Sequence, residues 1–332
     1  MGPRKLRFLP TKATFKLGEK MGSGTVGVVY RATSPDLDRP VAVKLLNPAV
    51  SDDEKIADRF EREIVVMERL SHPHIVRNYG GGQLDGQLFY AMQLLEHGSL
   101  KDRLKRGPLL WPQAAAYGVQ IASALQHAHN HGIVHRDLKP SNLFFDDNGD
   151  LVLGDFGIAR DLHASADITE QGMTVGTFLY MSPEQITADT HIGGGADLYS
   201  LGCVLFEMLT GQPPFQGANF AQVWDQHLRK PPPTVRETQR EAGVRVTCPE
   251  WLDELIMRLL SKNPSDRGFN ARQVEGVLLQ QLIDEFGVEK SKQLTRLDGL
   301  QVKAGQSDPP RTWVLWALLA AIVGALAYFA SV

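Results

Sequence analysis

Three short runs in the first third of the chain, Val28-Val29-Tyr30, Val41-Ala42-Val43 and Leu88-Phe89-Tyr90-Ala91-Met92, are rich in β-branched and aromatic side chains and predict strands. One stretch among them changes period. From Asp53 to Leu70 the apolar residues Ile56, Phe60, Ile64 and Met67 recur every three or four positions with charges between them, which predicts a helix. Ala115, Val119, Ile121, Ala122, Leu125 and Ala128 predict a long core helix from Trp111 to Asn130, and an apolar helix opens at Asp197 and runs through Leu209. Leu151-Val152-Leu153 is a short strand between them. The readable pattern thus holds both strands and helices, and after Thr210 it carries nothing decodable.

The 332 residues suffice for one two-lobed enzyme or two small domains, and the 43% apolar content permits a sizeable core. A net charge of -3, with short basic clusters interspersed with acids, argues against nucleic acid as a partner. Cys203 and Cys248 are the only cysteines, and Cys203 sits in an apolar run, so reduced thiols in a reducing compartment are expected. No apolar signal-peptide core follows Met1.

Candidate chemistry concentrates in His135-Arg136-Asp137-Leu138-Lys139-Pro140-Ser141-Asn142. Pro140 blocks a helix, so an acid, a cation and an amide must converge from a loop. Asp137 can accept a proton from an attacking hydroxyl, Lys139 can neutralise a transferring phosphoryl group, and Asn142 can offer an oxygen to a magnesium ion. Asp155-Phe156-Gly157 follows the short strand, and an acid at a strand end before a glycine suits a metal ligand on a hinge.

These two motifs resemble the catalytic loop and the metal-binding triplet of the protein kinase family, and Lys139 is the form found in its serine/threonine members. Other parts follow. Gly22-Ser23-Gly24-Thr25-Val26-Gly27 precedes a strand rather than a helix, which fits a lid over phosphates better than a dinucleotide-binding turn; Val26 stands where the family often has an aromatic. Val41-Ala42-Val43-Lys44 is similar to the family's lysine-bearing strand, and Glu63, with Glu61 as runner-up, is the expected ion-pair partner of Lys44. The resemblance covers about Phe15 to Phe286. It implies an α+β, two-lobed protein kinase fold: a small β-rich N-lobe with one main helix, and a larger, mostly helical C-lobe.

The resemblance further implies an ATP site built by the glycine-rich stretch, Val29, Ala42, Lys44, Met92 at the back of the adenine pocket, and hinge residues Gln93 and Leu95. Mg2+, or Mn2+ in its place, falls to Asn142 and Asp155. Arg136 is positioned to meet a phosphate on the segment after Asp155, where Thr169 and Thr174 are the candidate autophosphorylation sites. Thr177 resembles a residue that hydrogen-bonds near Asp137 and Lys139, Asp197 one that caps the catalytic-loop backbone from below, and Glu184 one that pairs with Arg267. His72-Pro73-His74 resembles the family's helix-to-strand connection, and the cluster His127, His129, His131 and His135 falls where the family commonly carries histidines, so neither is read as a metal site; His135 is expected to pack beneath Phe156, and Gly193-Gly194-Gly195 departs from the family without an evident purpose.

The expected organisation is an extension at residues 1–14, an N-lobe at 15–95, a C-lobe at 96–286, a polar juxtamembrane linker at 287–311 and a transmembrane helix at 312–332. The last stretch carries no charge and would span about 30 Å as a helix, with Trp313, Trp316 and Tyr328 at its interfaces. Basic residues on its kinase side place the enzyme in the cytoplasm, as a single-pass protein of the cell membrane. Partners expected are proteins bearing Ser or Thr, the membrane, and a second copy for trans-autophosphorylation. An ATP-binding scaffold without transfer is the alternative.

Overall fold

The structure is a computed structural model, and it describes residues 15–24, 27–35, 37–48, 60, 64, 66–84, 86–156, 178–190, 192–245 and 247–295. Strands β1 (Lys16–Gly24), β2 (Gly27–Ser34), β3 (Leu37–Leu46), β4 (Asn78–Leu84) and β5 (Gln87–Gln93) form one antiparallel sheet in the order β1-β2-β3-β5-β4. Period-two alternation sorts its side chains. Val41, Val43, Phe89 and Ala91 pack with Phe15 in a small outer cluster, while Leu46, Leu88 and Tyr90 join Phe60, Ile64 and Met67 in the main core. Phe60, Ile64 and Met67 are helical where described.

The second lobe is built around α2 (Trp111–Asn130), which follows the short α1 (Leu100–Leu104). Its alanine-rich sequence lets neighbours approach from almost every side. Alanines 114, 115, 116, 122, 124 and 128 are all fully buried. The catalytic stretch then continues into β6 (Leu143–Phe145) and β7 (Leu151–Leu153), an antiparallel hairpin. After it come α3 (Pro183–Ile186), α4 (Gly195–Thr210), α5 (Phe220–Arg229), α6 (Val235–Glu241), α7 (Glu250–Leu259), α8 (Pro264–Arg267) and α9 (Ala271–Phe286). Helix α4 is buried along nearly its whole length and carries Asp197 in its first turn.

One expectation needs correction. The polar residues after Gly287 do not run on as a linker: Val288–Thr295 form a further helix, α10, packed on α2 and α9. Ser291 and Thr295 are completely or almost completely buried because each hydroxyl bonds the carbonyl four residues back, at 2.8 and 2.9 Å. Polar residues that satisfy themselves on their own helix can face a core, and they leave no apolar stripe in the sequence. Among the described residues no helix is long and apolar enough to cross a membrane; residues 312–332 lie outside them.

Candidate active site

The glycine-rich strands come together through a ladder that closes at Gly24↔Gly27. Gly27 has no room for a side chain, since a Cβ there would lie 2.0 Å from the carbonyl oxygen of Leu45. Any larger residue would push β2 off β3 and shift the lid above the site. The register then places Val29 opposite Lys44, Lys44 opposite Tyr90, and Ala42 opposite Met92. Ala42 and Lys44 therefore share the face that looks toward the second lobe. Met92 lines a small pocket with Met67, Val76, Tyr90, Asp155 and Phe156. At the hinge the Gln93 backbone N–H donates to the Arg77 carbonyl at 2.8 Å, and Leu95 is half-buried beyond it.

Lys44 Nζ donates to Asp155 Oδ1 at 2.7 Å, and Tyr90 Oη donates to the same oxygen at 3.2 Å. Burial opposes charge on Lys44, but Tyr90 and Asp155 around it more than offset that cost and lift its pKa above the ordinary lysine value. Burial likewise opposes charge on Asp155. The attraction and hydrogen bond of Lys44 outweigh it and hold the carboxyl below its usual range. The pair is thus charged at neutral pH. Asp155 itself sits at φ 50, a left-handed conformation that is uncommon for a residue with a side chain. Phe156 beside it is buried on the His135 ring, with centroids 4.7 Å apart.

The octet runs as a loop as far as Lys139, but Pro140 does not simply block a helix: Pro140–Asn142 form one short 3-10 turn with the proline at its start. Asp137 Oδ2 receives hydrogen bonds from Lys139 Nζ at 2.7 Å and Asn142 Nδ2 at 3.0 Å, and Asn142 Nδ2 also reaches the Asp137 carbonyl at 2.9 Å. With its nitrogen committed, the Asn142 amide leaves its oxygen for a cation. Asn142 and Asp155 present hard oxygen donors of the kind that suit Mg2+ or Mn2+. They also belong to one unit, because the Gly154 N–H donates to the Asn142 carbonyl at 2.9 Å.

Beneath the loop lies Asp197, fully buried. Its carboxylate accepts from the backbone N–H groups of His135 and Arg136, each at 2.8 Å, and from His129 Nε2 at 2.8 Å. Arg136 adopts φ 62, and Gln185 Nε2 holds its carbonyl at 2.8 Å, so the strained turn is secured from both sides. Arg267 is 1% exposed and makes a bidentate pair with Glu184, at 2.6 and 2.9 Å, while also donating to the carbonyls of Gly195 and Ser261. Thr25, Val26, Glu63, Thr169, Thr174 and Thr177 lie outside the described residues, as does the runner-up Glu61.

Sequence reasoning overlooked three contributors. Tyr90 was legible only as part of a strand, yet its position two residues before Met92 puts it on the same face. His129 lay hidden in a histidine-rich tract. Gly194, from the unexplained glycine run, admits the His129 ring, since a Cβ there would lie 2.6 Å from His129 Cε1. The rings of His72, His127 and the exposed His131 succeed one another at 5.1 and 4.6 Å.

Residues 15–275 match the protein kinase domain family. The chain is 39% identical over 260 residues to serine/threonine-protein kinase PknD of Mycobacterium tuberculosis, an alignment covering 77% of this chain and 38% of that protein. It is 40% identical to PknE of Mycobacterium bovis over 256 residues, covering 76% and 43%. The chain thus spans about two fifths of the length of these relatives. Among solved structures, the Mycobacterium tuberculosis PknI kinase domain superposes with a TM-score of 0.62 at 26% identity, covering 85% of this chain and all of that one. The chain belongs to the protein kinase family, and the relatives it matches are bacterial serine/threonine kinases.

Proposed function

We propose that this chain is an active serine/threonine protein kinase, transferring the γ-phosphate of ATP to Ser or Thr hydroxyls of proteins. The observation that carries the reading is the Asp137 carboxylate, held by Lys139 and Asn142 at 2.7 and 3.0 Å over a backbone that Asp197 anchors. Asp137 orients the substrate hydroxyl and takes its proton as oxygen attacks the γ-phosphorus. The bond from the γ-phosphorus to the bridging oxygen breaks, and ADP leaves with the electron pair. Lys139 offsets negative charge spreading over the transferring group, and Lys44 holds the α and β phosphates. A divalent ion held by Asn142 and Asp155 would supply further charge neutralisation when bound. Catalysis here is chiefly positioning and electrostatics.

The same reading includes self-activation at Thr169 or Thr174, with Arg136 receiving the phosphate, and Glu63 positioning Lys44. It also includes a single-pass anchor at residues 312–332 that keeps the kinase on the cytoplasmic face of the membrane and allows two copies to meet. What supports the anchor is the uncharged stretch itself, flanked by Trp and Tyr. The test is transfer of labelled phosphate from Mg-ATP to a Ser/Thr-bearing protein and to the chain itself, with modified residues mapped by mass spectrometry. Asp137→Asn should lower the rate by about 10²- to 10⁴-fold. Unchanged transfer in that variant, or ATP binding by the wild type with no transfer in solution or in liposomes, would sink the reading.

A further inference from the structure

Gln120 stands halfway along α2, fully buried, with its amide engaged by three groups from two separate parts of the chain. Its Nε2 donates to the Thr295 carbonyl at 3.0 Å and to Asp150 Oδ1 at 2.8 Å, while its Oε1 accepts from the Leu151 N–H at 2.9 Å. Both donor hydrogens and the acceptor are spent. Asp150 and Leu151 close one end of the β6–β7 hairpin, where Asp146 also accepts from the backbone of Asn148 and Asp150. The other end of that hairpin carries Asn142, immediately before β6, and Asp155, two residues beyond β7. Gln120 therefore grips the hairpin that presents both proposed metal ligands.

Its third partner, Thr295, ends α10. The last carbonyls of a helix have no partner within it, and Gln120 supplies one. Helix α10 lies past the residues that match the family, and it leads directly into residues 296–311 and the uncharged stretch beyond. In α10 Ser291 and Thr295 are buried with their hydroxyls satisfied internally and Leu294 packs against the main core, so its hold combines one apolar contact, close fit and the Gln120 bond rather than a large apolar stripe. If α10 lifts away, a buried amide hydrogen on Gln120 loses its acceptor while the hairpin still depends on the same side chain. Docked and undocked α10 are thus two arrangements with different consequences for the hairpin, which coupling between distant sites requires.

We propose that α10, docked on α2, sets the position of the β6–β7 hairpin through Gln120, so that Gln120 is a positioning residue for Asn142 and Asp155 and the segment after Thr295 is an input to the site. The proposal rests on the kinase reading for its effect on metal-ATP, and on geometry alone for its effect on the hairpin. Two variants of the full chain, held in detergent, attack it from opposite ends. Ser291→Arg places a long charged side chain where the structure has no space, and Gln120→Leu keeps the bulk of the amide but removes its hydrogen bonds. Ser291→Ala, which retains the fit, is the control.

Amide hydrogen exchange should rise about tenfold in peptides spanning 143–155 in Ser291→Arg, with no change in α4. The Mg2+ concentration giving half-maximal ATP binding should rise by a similar factor in both variants, and the double variant should be no worse than either single one. Ser291→Ala should behave as wild type. If Ser291→Arg leaves both the exchange at 143–155 and the Mg2+ dependence at wild-type values, or if the two substitutions add independently, the coupling is wrong. Coupled exchange in a chain that binds no ATP would keep this proposal and remove the kinase reading; phosphate transfer with uncoupled exchange would do the reverse.

Discussion

Two ion pairs in this molecule, Glu184 with Arg267 and Lys44 with Asp155, use similar charges to opposite ends. The first is closed. Its side chains are 7% and 1% exposed, the guanidinium meets both carboxylate oxygens, and three further donations to backbone carbonyls exhaust it. The second is open: Lys44 is 13% and Asp155 32% exposed, and a single oxygen joins them. A closed pair holds structure, because both partners are buried and every guanidinium donor is filled. An open pair keeps its charges within reach of solvent, as the proposed roles toward phosphate and metal require, and the strained backbone at Asp155 falls at the same place.

The largest effect should come from opening the closed pair. Arg267→Met leaves the Glu184 carboxylate buried and unpaired, and denaturant unfolding should show a loss of about 3–5 kcal/mol. Replacing Glu184 with Met as well should restore part of that loss, which would distinguish uncompensated charge from lost packing. Next is Asp155→Asn, which keeps the shape but removes the charge. Phosphate transfer should fall about 10²- to 10³-fold, whereas the thermal midpoint stays near that of wild type.

The smallest effect sharpens the contrast by pH. Burial, with His74 and His127 nearby, pushes His72 down to about 4. Burial and Lys262 push His227 down to about 3. A histidine whose folded pKa lies below its unfolded value is neutral in the native state, while the unfolded chain takes up protons first as pH falls. Stability from this source is therefore complete above about pH 6.5 and declines as pH drops toward 4. Thermal midpoints measured across that window should fall less steeply in His72→Asn, which keeps an acceptor for the His74 N–H. Equal slopes for the variant and wild type would remove His72 from the account.

What was legible in the sequence follows the same division. The octet around Asp137 is a local motif whose groups lie within eight residues, so its loop could be read from proline and chemistry alone. Strands β2, β3, β5 and β7 could be read from β-rich or apolar runs and α2 from its helical period, whereas the charged and glycine-rich β1, the glycine-rich β4 and the short β6 were not read. The bond between Lys44 and Asp155 joins residues 111 apart, and the bond between His129 and Asp197 joins residues 68 apart; no local pattern announces either. The glycine run before α4 was opaque for that reason, since Gly194 is shaped by a ring from another helix. Helix α10 was missed for a different one. Ser291 and Thr295 look solvated, and only their bonds to their own backbone make them fit to bury.

The most direct test sets Lys44→Met beside Arg267→Met and measures thermal stability and labelled-phosphate transfer for each. Lys44→Met should keep a thermal midpoint within a few degrees of wild type and lose transfer by at least about a hundredfold; Arg267→Met should lose stability first and activity only with it. Transfer that persists in Lys44→Met, or a Lys44→Met protein that unfolds as readily as Arg267→Met, would contradict the assignment of one pair to structure and the other to chemistry.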